Sequence, residues 1–312
     1  MSFHIAEAFN FRIGIKHLRL AVVLGETRSL SRAADQLNMS QPTATKLLQH
    51  LEEELRVELF KRTNRGVLPT DVGAALIGQA RLLLVQLAHT GESIEDLVRG
   101  AGGRVVTGTL LSAASALLPA GIARLRETRP KVMVEVIEGT NDLLVPRLLA
   151  GELDFIVGRL SEFRYREEIE REILYEEAIH IVARAGHPLA ARESISIDEL
   201  AAHEWILPPS QTTLRRQLDK AFHDAGVSQL RCGVQSVSTL TNHYLIQNTD
   251  LLGAWPASLL ESDVNRAAFT SLPVKLPLSA SIGISRRRNA ALSPAAQILI
   301  EELRFVSHIS RR

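Results

Sequence analysis

Apolar residues recur at the helical period three times near the start of the chain. Ile15, Leu18 and Val22 form one set; Leu30, Ala33, Ala34 and Leu37 form a second; Ala44, Leu47, Leu48 and Leu51 form a third. Each set lays one apolar stripe along a helix and predicts burial of that stripe against its neighbours. Asn38-Met39-Ser40 separates the last two sets and leaves room for one tight turn. Ser40 reads as an N-cap, and Pro42 falls in the first turn, where a missing N–H leaves no hydrogen bond unmade. The pattern predicts helices of about eight and about twelve residues joined by a short turn, a helix-turn-helix.

Downstream, Arg62-Thr63-Asn64-Arg65-Gly66-Val67-Leu68-Pro69 is short, basic and turn-rich, as a β-hairpin wing is. Thr70 then caps a helix predicted to run to about Val98. Its apolar positions Val72, Leu76, Leu83, Leu87, Ile94 and Leu97 lie near a 3.5-residue repeat. At 1.5 Å per residue it spans about 42 Å, too long for a small globular domain, and it reads as a dimer-forming linker. Gly100-Ala101-Gly102-Gly103 reads as a hinge, since no Gly-Lys-Ser/Thr follows as a phosphate loop requires. Beyond it strands and helices alternate: strands at 105–111, 131–137, 154–158 and 179–183, helices at 118–127 and 142–150. Ser293-Pro294 starts a last helix ending near Ile309. Such alternation predicts a mostly parallel sheet with helices on both faces, arranged as two lobes.

Composition narrows the setting. The 312 residues suit about two domains, with hydrophobic and charged fractions ordinary for a globular protein. Cys232 is the only cysteine, so no intramolecular disulfide forms; it reads as a buried core thiol. The first 20 residues carry no signal-peptide pattern, and no uninterrupted apolar run reaches membrane-span length, so a cytoplasmic protein without a membrane partner is expected. Net charge is only +1 overall, while residues 1–70 hold ten Lys/Arg against seven Asp/Glu. The excess is too small to identify a nucleic-acid binder by charge alone. No catalytic set, cofactor motif or metal cluster stands out: His180 and His187 have no ligand partner at suitable spacing, and no Gly-x-Ser-x-Gly elbow occurs.

The run from Ser31 to Lys46, with its Ala33-Ala34 pair, Leu37 and Ser40-Gln41-Pro42, resembles the helix-turn-helix of LysR-type transcriptional regulators. The likeness continues through Leu51-Glu52, Leu59-Phe60, Arg62, Arg65-Gly66-Val67 and the residues from Thr70 to Gly73. At lower density it extends over Leu117-Leu118-Pro119, Glu138-Gly139-Thr140, Gly151-Glu152-Leu153-Asp154 and His187-Pro188-Leu189. Gly158-Arg159-Leu160 resembles the subgroup controlling protocatechuate breakdown or galactose-type sugar uptake. Three positions depart from the pattern: Arg56 where the family ends a helix with glycine, Pro69 beside the wing, and Pro146 inside a predicted helix.

The resemblance implies an α+β two-part chain. Residues 1–70 would form a winged helix-turn-helix, 71–99 a linker and dimerisation helix, and 104–312 a two-lobed α/β effector-binding domain resembling periplasmic binding proteins. Ser40, Gln41, Pro42, Thr43, Thr45, Lys46 and Gln49 would face promoter DNA, where Gln suits adenine and Thr or Pro a thymine methyl. Arg62, Thr63 and Arg65 would hold phosphates. Ser112, Ser115, Thr140 and Asn141 from one lobe and Ser210, Thr212, Thr213 and Ser238 from the other would cradle a small-molecule effector, an aromatic or other carboxylate or a sugar. Expected partners are double-stranded promoter DNA, a second copy in a homodimer or homotetramer, and RNA polymerase. Two competing classes are a solute-binding protein without regulatory role and an enzyme on an α/β scaffold.

Overall fold

A computed structural model describes residues 12–64, 66–99, 102–160, 165, 167–261, 267–276 and 278–309. The chain divides into two compact units, residues 1–95 with Ala150–Glu152, and residues 96–149 with 153–312.

In the N-terminal unit the three helical patterns become α1 (Ile15–Thr27), α2 (Leu30–Gln36) and α3 (Gln41–Leu55). Ala33, Ala34 and Ala44 are buried with Leu20, Leu24 and Leu51. Small side chains at these points let the helix axes approach closely. Arg56 takes the left-handed conformation (φ 53°, ψ 39°) at the end of α3. The glycine expected there is replaced without moving the helix end, at a cost of about 1 kcal/mol. The wing is the antiparallel pair β1 (Phe60–Thr63) and β2 (Gly66–Pro69). Pro69 sits at the last position of β2, opposite Phe60. Both Leu59 and Phe60 N–H groups donate to Glu52 Oε1, at 2.7 and 3.1 Å, which ties the wing to α3.

Helix α4 (Asp71–Arg99) starts behind Thr70, whose Oγ1 accepts the Gly73 N–H at 3.0 Å. Its stretch Asp71–Ala88 is long and apolar enough to cross a membrane by length and composition. That apolar surface is divided between two uses. Leu76, Ile77, Ala80 and Leu84 pack on the helix-turn-helix core, and Arg81 pairs with Glu26 at 2.7 Å. Val72, Leu83, Leu87 and Ile94 are left exposed. The side chain of Leu97, and Gly100-Ala101 of the expected hinge, lie outside the described part.

The C-terminal unit opens with β3 (Arg104–Thr109), α5 (Leu111–Ala114), α6 (Leu117–Thr128), β4 (Met133–Glu138), α7 (Asn141–Leu149) and β5 (Phe155–Arg159). Pro146 lies inside α7, which still reaches Leu149. The 16-residue β6 (Ile169–Arg184) then carries the chain out of the first lobe and into the second. The second lobe holds α8 (Ile197–Ala202), β7 (Glu204–Leu207), α9 (Thr213–Asp224), β8 (Arg231–Gln235), α10 (Thr239–Asn248), β9 (Gly253–Pro256), α11 (Ala257–Leu260) and β10 (Phe269–Ser271). β11 (Ser279–Arg287) returns the chain, and α12 (Pro294–Ile309) closes it on the first lobe.

The sheet runs β4-β3-β5-β11-β6-β10, with β9 also on β6. Its arrangement corrects the expectation of a mostly parallel sheet. β3 pairs parallel with β4 and β5, and β7 with β8. The crossing strands are antiparallel: β11 against both β5 and β6, and β6 against β9 and β10. A strand that leaves a lobe and one that returns to it necessarily run in opposite senses. The β6–β11 register shifts at Ile282/Gly283, where a Cβ on Gly283 would fall 2.0 Å from the Glu172 carbonyl oxygen. One contiguous core joins both lobes, from Val105 and Leu125 to Trp205 and Phe222.

Cys232 is exposed, against the expectation of a buried thiol. It lies on β8, whose partner in its two-stranded sheet is β7, and only Val234 of that strand is partly covered.

Candidate DNA-reading face and effector site

Ser40 caps α3: its Oγ accepts the Thr43 N–H at 3.3 Å and lies 2.8 Å from Thr43 Oγ1. Gln41, Pro42, Thr43, Lys46 and Gln49 are exposed on one face, opposite the buried Ala44, Leu51 and Leu55. Thr45 is half-buried and donates its hydroxyl to the Gln41 carbonyl at 3.0 Å, so it turns back onto its own helix. In the wing Arg62 is exposed, and Thr63 Oγ1 donates to the Gly66 carbonyl at 3.0 Å, closing the turn. Arg65 lies outside the described residues.

The hydroxyl-bearing residues of the effector domain do not converge as a single open cradle. Ser112, with Asn141, is instead consumed in fixing one arginine that the sequence reading left out of the site. Arg159 ends β5 and is 9% exposed. Its N–H donates to Ser112 Oγ at 3.0 Å, and its carbonyl accepts from Asn141 Nδ2 at 3.3 Å. Its Nη1 reaches Gln217 Oε1 on α9 of the second lobe at 2.9 Å. Ser112 and Asn141 therefore clamp the backbone of a side chain that bridges the lobes. Gly158 makes this approach possible: it holds φ +143°, and a Cβ there would meet Leu110 Cβ at 2.8 Å.

Ser115 Oγ lies 2.9 Å from Ser258 Oγ on α11, a second contact between lobes. Thr212 and Ser238 cap α9 and α10 by accepting the Arg215 and Thr241 N–H groups, each at 3.3 Å. Thr140 lends its carbonyl to the first turn of α7, and Ser210 is exposed before α9. Thr213 and Gln217 border the same groove as Arg159.

Glu177 is a further site residue with no counterpart in the sequence reading. It is 6% exposed on β6, and its Oε1 accepts the Ser258 N–H at 3.1 Å. Its Oε2 is buried with no hydrogen-bond partner among the described residues. Burial pushes its carboxyl above the usual range, opposed by the Ser258 hydrogen bonds and the charge of Arg159. The folded protein thus holds this proton to a higher pH than the unfolded chain does. Stability drawn from it is lost as pH rises from about 4.5 through the raised value, because the ionised form is penalised only in the fold. Glu177→Gln is expected to raise the melting temperature relative to the parent at neutral pH and to narrow that advantage toward pH 4.5. Melting curves of both proteins across that range, with the variant less stable at neutral pH, would show that the ionised carboxylate stabilises the fold.

Sequence comparison adds two matches. Residues 15–74 match the bacterial regulatory helix-turn-helix of the lysR family, and residues 99–306 match the LysR substrate binding domain. The HTH-type transcriptional regulator GbpR of Azospirillum brasilense is 33% identical over 303 residues, covering 96% of this chain and 89% of its own. GalR of Pseudomonas putida is 30% identical over 93% of this chain and 73% of its own. Among solved structures, full-length CbnR complexed with its target DNA superposes with a TM-score of 0.64 at 20% identity, covering 94% of this chain and 99% of that one. The exposed face of α3, the two-lobed domain that follows in the chain and these matches over both parts lead to one conclusion: the chain belongs to the LysR family of DNA-binding transcriptional regulators.

Proposed function

We propose that this regulator reads promoter DNA through Gln41, Pro42, Thr43, Lys46 and Gln49 and senses a small molecule held between the lobes of its C-terminal domain. The observation that carries the sensing half is Arg159, clamped in one lobe by Ser112 and Asn141 and bonded across to Gln217 in the other. A ligand at Arg159, Thr140 and Thr213 would change the contacts between lobes, and so bias one arrangement over another by its differential affinity. Winged helix-turn-helix over residues 1–70, linker helix over 71–99 and effector domain over 104–312 form the working division. The protein acts as a homodimer or homotetramer in the cytoplasm, with RNA polymerase as its downstream partner.

A dimer carrying two recognition helices reads two half-sites related by its own symmetry. Gln41→Ala is expected to relax base preference at one half-site position by roughly 1–3 kcal/mol, while Arg62→Ala and Arg65→Ala weaken all sequences alike and each lower the salt slope by about one. Gel shifts over operator variants and salt concentrations separate these effects. Were Arg62→Ala to alter base preference and Gln41→Ala to leave it unchanged, the roles given to helix and wing would be reversed.

A further inference from the structure

Where the wing begins, Leu59 and Phe60 are buried, and both donate their N–H groups to one atom of the recognition helix, Glu52 Oε1, at 2.7 and 3.1 Å. The Leu59 carbonyl is held from the other side. It accepts the Thr70 N–H at 2.9 Å and the Thr70 hydroxyl at 3.2 Å. Gly73 of α4 comes so near that a Cβ there would fall 2.0 Å from the same oxygen. One residue of the wing is thus gripped by α3 through its N–H and by the start of α4 through its carbonyl. The second strand is fastened separately, Val67 N–H donating to the Arg28 carbonyl at 2.9 Å.

Spacing gives this joint a bearing on DNA. Glu52 follows Gln49 by three positions on α3, so the two are neighbours on one helix surface. Arg62 follows Phe60 by two positions on β1, about 7 Å along a strand. A side chain assigned to bases and one assigned to phosphates are therefore connected through a single carboxylate. On a helix docked against DNA a carboxylate repels the phosphates, so charge by itself gives no reason for glutamate here. Its paired N–H bonds do, since charge-assisted hydrogen bonds are short and roughly twice as strong as neutral ones.

From this juxtaposition we infer that Glu52 is a positioning residue for DNA reading: through Leu59 and Phe60 it sets the phosphate contacts of the wing in register with the base contacts of α3. This role rests on the proposed assignment of bases to α3 and phosphates to the wing, and adds to it a residue that acts through the wing.

The test measures affinity by fluorescence anisotropy for the full chain, on a duplex it enriches from a random-sequence pool and on a scrambled duplex of equal length, from about 50 to 200 mM salt. Active protein is counted by stoichiometric titration. Glu52→Asp keeps the charge and shortens the reach, while Glu52→Gln removes the charge and keeps the acceptor. The expected result is that Glu52→Asp and Glu52→Ala weaken both duplexes about tenfold, as loss of a charge-assisted hydrogen bond predicts. Both should flatten the salt slope by about one and preserve base preference, and Glu52→Gln should recover most of the loss. The Asp and Gln pair decides the matter even if Glu52→Ala loses helical content. In an Arg62→Ala background Glu52→Asp should cost only about twofold more, because a contact it positions is already gone.

Charge alone predicts the opposite order, with Glu52→Gln and Glu52→Ala tighter than the parent and Glu52→Asp unchanged, and that order would overturn the positioning role. A loss that vanishes once affinity is referred to active protein would reduce Glu52 to a folding role and overturn it as well. Full additivity with Arg62→Ala would detach Glu52 from the wing. Arg62→Ala with an unchanged salt slope would remove phosphates from the wing, and both readings would fall together. A flattened slope in Arg62→Ala beside parental binding by Glu52→Asp would sink the positioning role alone.

Discussion

Replacing Leu83 and Leu87 together by aspartate is expected to separate the subunits and to lower operator affinity by roughly 10²–10⁴-fold, the gain that linking two binding modules supplies. The two leucines are 55% and 44% exposed on α4, and Val72 and Ile94 extend the same uncovered apolar run. Their neighbours Leu76, Ile77 and Leu84 are already taken up by the helix-turn-helix core. Among the described residues the exposed set therefore has no partner within its own unit, and a second copy of the helix is the cover we propose for it. Charges placed in such a seam face an apolar surface or each other, and neither is compensated. Because both positions are surface positions in the single chain, the variant should keep its helical content and melt as a folded monomer. Light scattering and gel shifts measure the two effects. An unchanged mass together with unchanged operator affinity would show that α4 is not the seam.

The second large effect concerns Gly158. An alanine there must adopt φ +143° and place its Cβ 2.8 Å from Leu110 Cβ. Backbone strain of about 1–3 kcal/mol adds to overpacking of similar size. For a domain of this length that corresponds to a fall of roughly 5–20 °C in melting temperature. The same substitution shifts the backbone of Arg159, so the effector response should weaken more than the stability loss alone explains. Calorimetric melting with a dose-response assay below the transition checks both. A variant that melts with the parent and responds normally would show that the Gly158 conformation is dispensable.

The helix-turn-helix was legible because its signals are local: three apolar stripes at the helical period, a capping serine, a proline in the first turn. Together they suffice, and the structure places the three helices at those stripes with Ser40 as the cap. The crossing strands were not legible for the opposite reason. Only residues 179–183 of β6 look like a buried strand; residues 169–178 read Ile-Glu-Arg-Glu-Ile-Leu-Tyr-Glu-Glu-Ala. Their charges are matched by partners far along the chain, Glu172 with Arg304 at 2.7 Å and Glu170 with Arg286 at 3.0 Å. No periodicity in the segment itself encodes those pairs. The site divided in the same way. Hydroxyls near helix starts were picked out because such residues cap helices and bind anions alike, and Thr212 and Ser238 proved to be caps. Arg159 ends a buried strand and Glu177 lies inside β6 ahead of its buried run, and only the fold brings Ser112, Asn141, Gln217 and Ser258 onto them.

The continuity of β6 has a mechanical consequence. A domain whose halves are joined by loops can swing freely, and its closure is limited by diffusion and contact. Here the halves share a 16-residue strand that pairs with β11 in one lobe and with β9 and β10 in the other. Changing the angle between lobes must twist a hydrogen-bonded ribbon, whose register shifts at Ile282/Gly283. Such an element acts as a torsion spring: its displacement is small, it returns when the load is removed, and it passes force to whatever is fastened at either end. Ligand binding would then be transmitted as a change of torque on the neighbouring subunit, with the ladder amides of β6 and β11 staying protected from exchange throughout.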